Sequence, residues 1–154
     1  MSSKNNIHVL SRAVIIDQNH ILVCKTRDLP ISFYFLPGGH VEHGESAETA
    51  VLRELFEESG SQCTIKRFLG CLEYSFEPGH SSICHNHEVN FFFEADSDDL
   101  KIQNPIASRE EHIELIWLPL REVGSIDFRP EPLKTLILQW LDSNVNNAFR
   151  SVMI

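Results

Sequence analysis

Long apolar runs are missing from this chain of 154 residues. Its uninterrupted apolar stretches are short pieces such as residues 13–16, far below the ~18 residues of a membrane span, so no transmembrane segment is expected. The opening MSSKNNIHVLSR has neither an apolar region nor a small-residue cleavage site, and the expected compartment is the cytoplasm. Cysteine is scarce, with 4 residues and no CxxC spacing; a disulfide framework is excluded and reduced thiols are expected. Basic residues are also in deficit, 13 Lys and Arg against 22 Asp and Glu, for a net charge of −9. Such a surface repels phosphate backbones and anionic bilayers, which excludes polymeric nucleic acid and membrane as partners. A phosphorylated substrate would need a cation to bridge it. What remains is ordinary globular usage, 42% hydrophobic and 23% charged, without repeats or a linker, and a single domain over residues 1–154 is expected.

Two β-branched runs, residues 9–16 and 20–25, flank Asp17, Gln18 and Asn19, a turn-forming cluster, and predict a hairpin. An aromatic run at 33–36 reads as a strand that stops at Pro37, Gly38 and Gly39. A loop leads to Ser46, which can cap a helix that has Glu48 in its first turn and Gly60 just past its end. Residues 65–76, 88–95 and 112–118 read as strands, the last ended by Pro119. Residues 77–86 form a polar loop, and 100–111 are irregular around Pro105. Leu133, Leu136, Ile137, Trp140 and Leu141 recur at helical spacing within a second helix over 131–143, where they cover a sheet rather than bind a cofactor. Strands, a helix, more strands and a last helix make a mixed sheet with helices on its faces.

The chemistry concentrates on the first helix. At ~100° per residue, Glu54, Glu57 and Glu58 project within one arc of roughly 100°. Val51, Leu52, Leu55 and Phe56 take the other side, while Ala47 and Ala50 lie under the carboxylates and leave room for ions. Like charges at i, i+3 and i+4 repel, so this trio makes sense around a hard divalent cation. Oxygen from the exposed carbonyls of the Pro37-Gly38-Gly39 turn can add to such a site. Arg53 adjoins the carboxylates and can hold one of them by a bidentate pair before a cation arrives.

Together, Gly39-x5-Glu45-x7-Arg53-Glu54-Leu55-x-Glu57-Glu58-x-Gly60 is similar to the Nudix box of the Nudix hydrolase family. It departs only at Ser61, where the family favours an aliphatic residue, which bears on packing at the helix exit. The resemblance implies an α/β/α sandwich with a mixed β-sheet and hydrolysis of the pyrophosphate of a nucleoside diphosphate derivative, with Mg²⁺ or Mn²⁺ as cofactor. It assigns Glu57 and Glu58 as metal ligands, Glu54 as ligand or general base, the carbonyl of Gly38 or Gly39 as a further ligand, and Glu45 and Arg53 as orienters of the site and substrate. Glu110 and Glu111, in the irregular segment, are the loop candidates for base or ligand. A nucleotide sugar such as ADP-ribose, or a nucleoside triphosphate, is the expected small-molecule partner. The alternative is a non-catalytic nucleotide sensor or protein-binding module, which has no need of mutually repelling carboxylates.

Other polar clusters weigh less. His80, Cys84, His85 and His87 match no common zinc spacing, although His85, His87 or Glu88 can reach the rim of a substrate site. His40 and His43, in the loop of the box, can touch phosphate. Phe91, Phe92 and Phe93 alternate across one strand, so the middle ring faces away from its neighbours and both faces are covered. Trp117 reads as core, while Phe33, Tyr34 and Phe76 stand where a nucleobase could stack. Exposed strand edges allow a homodimer.

Overall fold

In the computed structural model, which describes residues 6–77, 86–142, 144 and 147–154, two sheets share the strand-rich middle of the chain. The strands are β1 (His8–Val14), β2 (Ile16–Asp17), β3 (His20–Thr26), β4 (Tyr34–Phe35), β5 (Gly38–His40), β6 (Thr64–Ser75), β7 (His87–Asp96), β8 (Ile113–Pro119) and β9 (Phe149–Val152). The helices are α1 (Ala47–Ser59) and α2 (Leu133–Leu141), with a 3-10 turn at Leu120–Ser125. One sheet is mixed, in the order β5-β1-β7-β6-β9, with β1 parallel to β7 and β6 parallel to β9. The other is antiparallel: β3 pairs with β8 on one edge and with β2 and β4 on the other.

Period-two alternation decides which helix each strand residue meets. Val14, Ile21, Val23 and Phe92 share a core with Leu133, Leu136, Ile137 and Trp140 of α2. Their neighbours Ala13, Ile15, Leu22, Cys24 and Phe93 point the other way, into a core with Val51 and Leu55 of α1. The result is the expected α/β/α sandwich with a mixed sheet. Phe92 is fully buried on the α2 side, while Phe91 and Phe93 pack on the α1 side. No helix among the described residues is long and apolar enough to cross a membrane.

Three expectations need correction. The hairpin around Gln18 and Asn19 is only two pairs long, Ile16 with Ile21 and Asp17 with His20, because β1 departs to pair with β5 and β7 in the other sheet. The strand expected to stop at the glycines resumes there: Gly38, Gly39 and His40 pair with Arg12, Ser11 and Leu10. Glycine suits this approach, since Gly38 has φ +133° and a Cβ on it would lie 2.1 Å from the Ser11 carbonyl oxygen. Strand β9 was not expected at all; its sequence carries too little alternation to be read without its partner β6.

Candidate active site

Helix α1 begins and ends as its sequence dictates. The Ser46 hydroxyl accepts from the Thr49 N–H at 3.0 Å, and Gly60, at φ +74°, closes the last turn by donating to the Phe56 carbonyl at 2.8 Å. Such a cap contributes about 1 kcal/mol. Val51 and Leu55 anchor the helix to the sheet, each worth roughly 1.5–3 kcal/mol on burial. That orientation turns Glu54 and Glu58 toward β5, while Glu57 stays half exposed beside Arg53. Two details differ from the sequence reading. Ala47 and Ala50 face the sheet, with Ala50 fully buried, so they let α1 approach β1 rather than make room for ions. Phe56 is nearly half exposed, lying outside the apolar stripe.

Arg53 is the hub of the cluster. Its Nε and Nη2 donate to the two carboxylate oxygens of Glu45 at 2.7 and 3.0 Å. Nη1 reaches Glu54 at 3.1 Å and Glu57 at 3.2 Å, and Nη2 also donates to the His40 carbonyl at 3.1 Å. The hydrogen bond to Glu45 raises the Arg53 pKa further, and the same contact holds the Glu45 carboxyl below the ordinary carboxylate range. A planar five-donor fork suits this task. Glu54 and Glu58 respond differently. Burial raises Glu54 above its ordinary value against the pull of Arg53. Glu58 is 4% exposed, and burial pushes it up to about 8. Its oxygens accept from the Gly38 N–H at 3.1 Å and the Cys24 thiol at 3.6 Å.

The donor set fits a hard divalent cation, because it offers oxygen alone, from three carboxylates on one helix face. A Cβ on Gly39 would lie 2.5 Å from the Glu54 carboxyl carbon, so only glycine leaves that carboxylate its place beside β5. Among the described residues no three metal-binding side chains are yet gathered on one point: Glu54 and Glu57 lean on Arg53 and Glu58 turns to Gly38. The Gly38 carbonyl accepts from Arg12 Nη1 at 3.0 Å, and Gly39 sits opposite Ser11 in register.

The loop carboxylates separate. Glu110 is partly buried, 3.5 Å from His112 Nε2, and its charge adds to the raised pKa of both Glu54 and Glu58. Glu111 is exposed.

Arg12 joins this cluster to a cleft of about 800 Å³. Phe33, Phe35, Tyr74 and Phe76 line it, with Arg12, Arg27, Arg129, His112 and the acids Glu88, Asp127 and Glu131 among the polar groups. The Arg129 guanidinium lies 4.1 Å from the Phe33 ring centroid, held by two 3.1 Å hydrogen bonds to Asp127. Phe33 and Phe76 thus stand where a planar ring could stack, whereas Tyr34 packs against the α2 core. Glu88 reaches the cleft; His87 is absent from its lining. His80, Cys84 and His85 fall outside the described residues, while His40 lines a separate groove with His8. Sequence reading missed Arg12, Arg27 and Arg129, since nothing in their spacing shows that three distant segments meet.

A mixed-sheet sandwich with a glycine strand laid against an acidic helix is the arrangement that the family comparison then places. A model of the NUDIX domain matches residues 7–140, and the chain belongs to that family. Among curated proteins it is 36% identical over 107 residues to the ADP-ribose pyrophosphatase of Methanocaldococcus jannaschii, covering 69% of this chain and 61% of that one. Its matches to curated relatives span 34% to 61% of their lengths. Among solved structures, a NUDIX hydrolase from Nitrosomonas europaea superposes with TM-score 0.70 at 18% identity, covering 93% of both chains. A MutT protein from Methanosarcina mazei gives 0.69 at 19% identity, covering 95% of this chain and all of its own. These two likenesses bear on the fold.

Proposed function

We propose that this chain hydrolyses the pyrophosphate bond of a small nucleoside diphosphate derivative, with Mg²⁺ or Mn²⁺ held by Glu54, Glu57, Glu58 and the Gly39 carbonyl. The observation that carries the reading is the Arg53 hub, which fixes Glu45, Glu54 and Glu57 on one face beside the glycine strand. A bound divalent cation would neutralise the anhydride oxygens and favour attack by water. The protein's own part is positional. Arg53 and Glu45 hold the carboxylate face in register with β5, so that a cation has only to turn side chains already on one face. Glu54, raised by burial, takes the proton from water as general base. Glu110, whose charge bears on the same carboxylates, is the loop residue that assists as ligand or second base. The aromatic cleft takes the nucleobase, and Arg12 and Arg27 face the phosphates.

A nucleotide sugar is favoured over a nucleoside triphosphate. The relative named ADP-ribose pyrophosphatase supports this, as does a cleft large enough for two ring systems. The reading takes residues 1–154 as one domain, and a homodimer is compatible with it. The test is a panel of nucleoside diphosphate sugars and nucleoside triphosphates with Mg²⁺ or Mn²⁺, followed for release of monophosphate. Turnover of a nucleotide sugar supports the reading. Tight binding of one nucleotide without turnover of any would replace it with a sensor.

A further inference from the structure

Arg109 is bound to the far end of α1 in a way that the acidic face does not require. Its backbone N–H donates to the Glu58 carbonyl at 2.8 Å, the connection that brings residues 101–112 onto the helix. Its guanidinium lies 5.3 Å from the centroid of the Phe56 ring. The same group rests on Gly60, where an added Cβ would lie 2.6 Å from the guanidinium carbon. No carboxylate pairs with Arg109 among the described residues. Phe56, unexplained as an exposed ring, therefore has a partner, and Gly60 is required twice: for its left-handed backbone and for the surface it leaves bare.

We propose that Arg109 is a positioning residue, a latch that clamps residues 101–112 onto Phe56 and Gly60 and so holds its neighbour Glu110 beside the end of α1, where the Arg109 N–H meets the Glu58 carbonyl. The proposal rests on the reading that Glu110 serves the site. Further contacts fix the loop's return path. The Ser108 hydroxyl donates to the Glu110 carbonyl at 3.1 Å, and the Arg27 N–H donates to the His112 carbonyl at 2.8 Å. Glu110 thus sits between one anchor on α1 and another just past the end of β3. Removing the guanidinium leaves the second anchor intact, so the fold survives while the Glu110 segment opens more often.

Two readouts test this. In metal-free protein, amide exchange at position 109 should be about tenfold faster in Arg109→Ala and in Phe56→Leu, as expected when a local anchor is lost without global unfolding. Under turnover conditions Arg109→Ala should lower kcat about tenfold with KM changed less than twofold, and Arg109→Lys, which keeps a cation on the ring, should recover part of it. The double variant Arg109→Ala/Glu110→Gln should turn over no more slowly than Glu110→Gln alone, because the latch acts through Glu110. Unchanged exchange at position 109 in Arg109→Ala overturns the proposal, as does a double variant slowed by the full factor seen in the native background. Native turnover in Glu110→Gln alone removes Glu110 from the chemistry, and the exchange rates then decide the latch by themselves.

Discussion

Adjacent glycines Gly38 and Gly39 should fail in different ways when each is replaced by alanine. At Gly38 the new Cβ meets backbone, 2.1 Å from the Ser11 carbonyl oxygen and 2.9 Å from the Arg12 Cα, and φ is +133°. Neither strand can yield without opening the β1–β5 pairing. Backbone strain of about 1–3 kcal/mol adds to overpacking of about 1–3 kcal/mol, so roughly 4 kcal/mol is expected. For a domain of this size that lowers the melting temperature by roughly 8–16 °C. At Gly39 the new Cβ meets only the end of a flexible side chain, the Glu54 carboxyl at 2.5 Å. Glu54 can swing aside at a cost near 1 kcal/mol, within about 4 °C. Swinging aside is nevertheless fatal to a positioned carboxylate, since displacement by about 1 Å can cost about a hundredfold in rate. Calorimetry of both variants beside a turnover assay separates the effects: Gly38→Ala unstable and inactive, Gly39→Ala stable and inactive. Equal melting temperatures for the two, or native turnover in Gly39→Ala, would refute the argument.

Glu54→Gln and Glu57→Gln should each lower turnover by orders of magnitude with circular dichroism unchanged, and Mn²⁺ titration should show weaker binding in Glu57→Gln. Arg53→Lys keeps the charge but cannot hold both Glu45 oxygens, so turnover should fall at least tenfold; full activity would show that the fork is dispensable. In chelator, Glu58 should make stability depend on pH. Its folded pKa of about 8 lies above the ordinary 4.5, so the native state binds the extra proton between those values, and stability should fall as pH rises from about 4.5 to about 8. Thermal unfolding should show that slope, and Glu58→Gln should flatten it. Phe33→Ala, which removes the ring beneath Arg129, should raise KM for a nucleotide substrate several-fold while leaving Mn²⁺ affinity unchanged.

What could be read from the sequence was whatever is periodic or local. The α1 boundaries follow from Ser46 and Gly60 because caps are chosen within four residues of the helix end. The alternation of Phe91, Phe92 and Phe93 follows because a pleat has no other option. The partner of Arg53 was less accessible: a bidentate grip on one of the adjacent carboxylates was expected, whereas both oxygens taken belong to Glu45, just before the Ser46 cap and two helical turns away. Pairing choices were not accessible in this way. Residues 9–16 satisfy a hairpin pattern equally well whether they fold back on β3 or join β5 and β7, and the tertiary context decides. The same holds for Phe56, whose apolar character suggested core until Arg109, fifty-three positions later, supplied a different partner.

The cleft arginines resolve a tension that the composition poses. A chain of net charge −9 repels an anionic substrate at long range, and its acidic helix face does so most strongly. Long-range charge governs approach, however, while binding depends on charges within about a Debye length, ~8–10 Å. At that distance the cleft presents Arg12, Arg27, Arg129 and His112 against Glu88, Asp127 and Glu131. Arg129 is already satisfied by Asp127, and a carboxylate below its ordinary range keeps that pair charged. Among the described residues Arg12 and Arg27 make no ion pair with a carboxylate, and Arg12 stands at the joint with β5, where its Nη1 donates to the Gly38 carbonyl. A phosphate reaching the cleft can therefore pair with Arg12 or Arg27 on one side and meets the carboxylate face on the other. Only a second positive charge, placed on that face, makes both sides attractive at once. On the proposed reading, that is the physical reason a divalent ion and these two arginines would act on the same substrate.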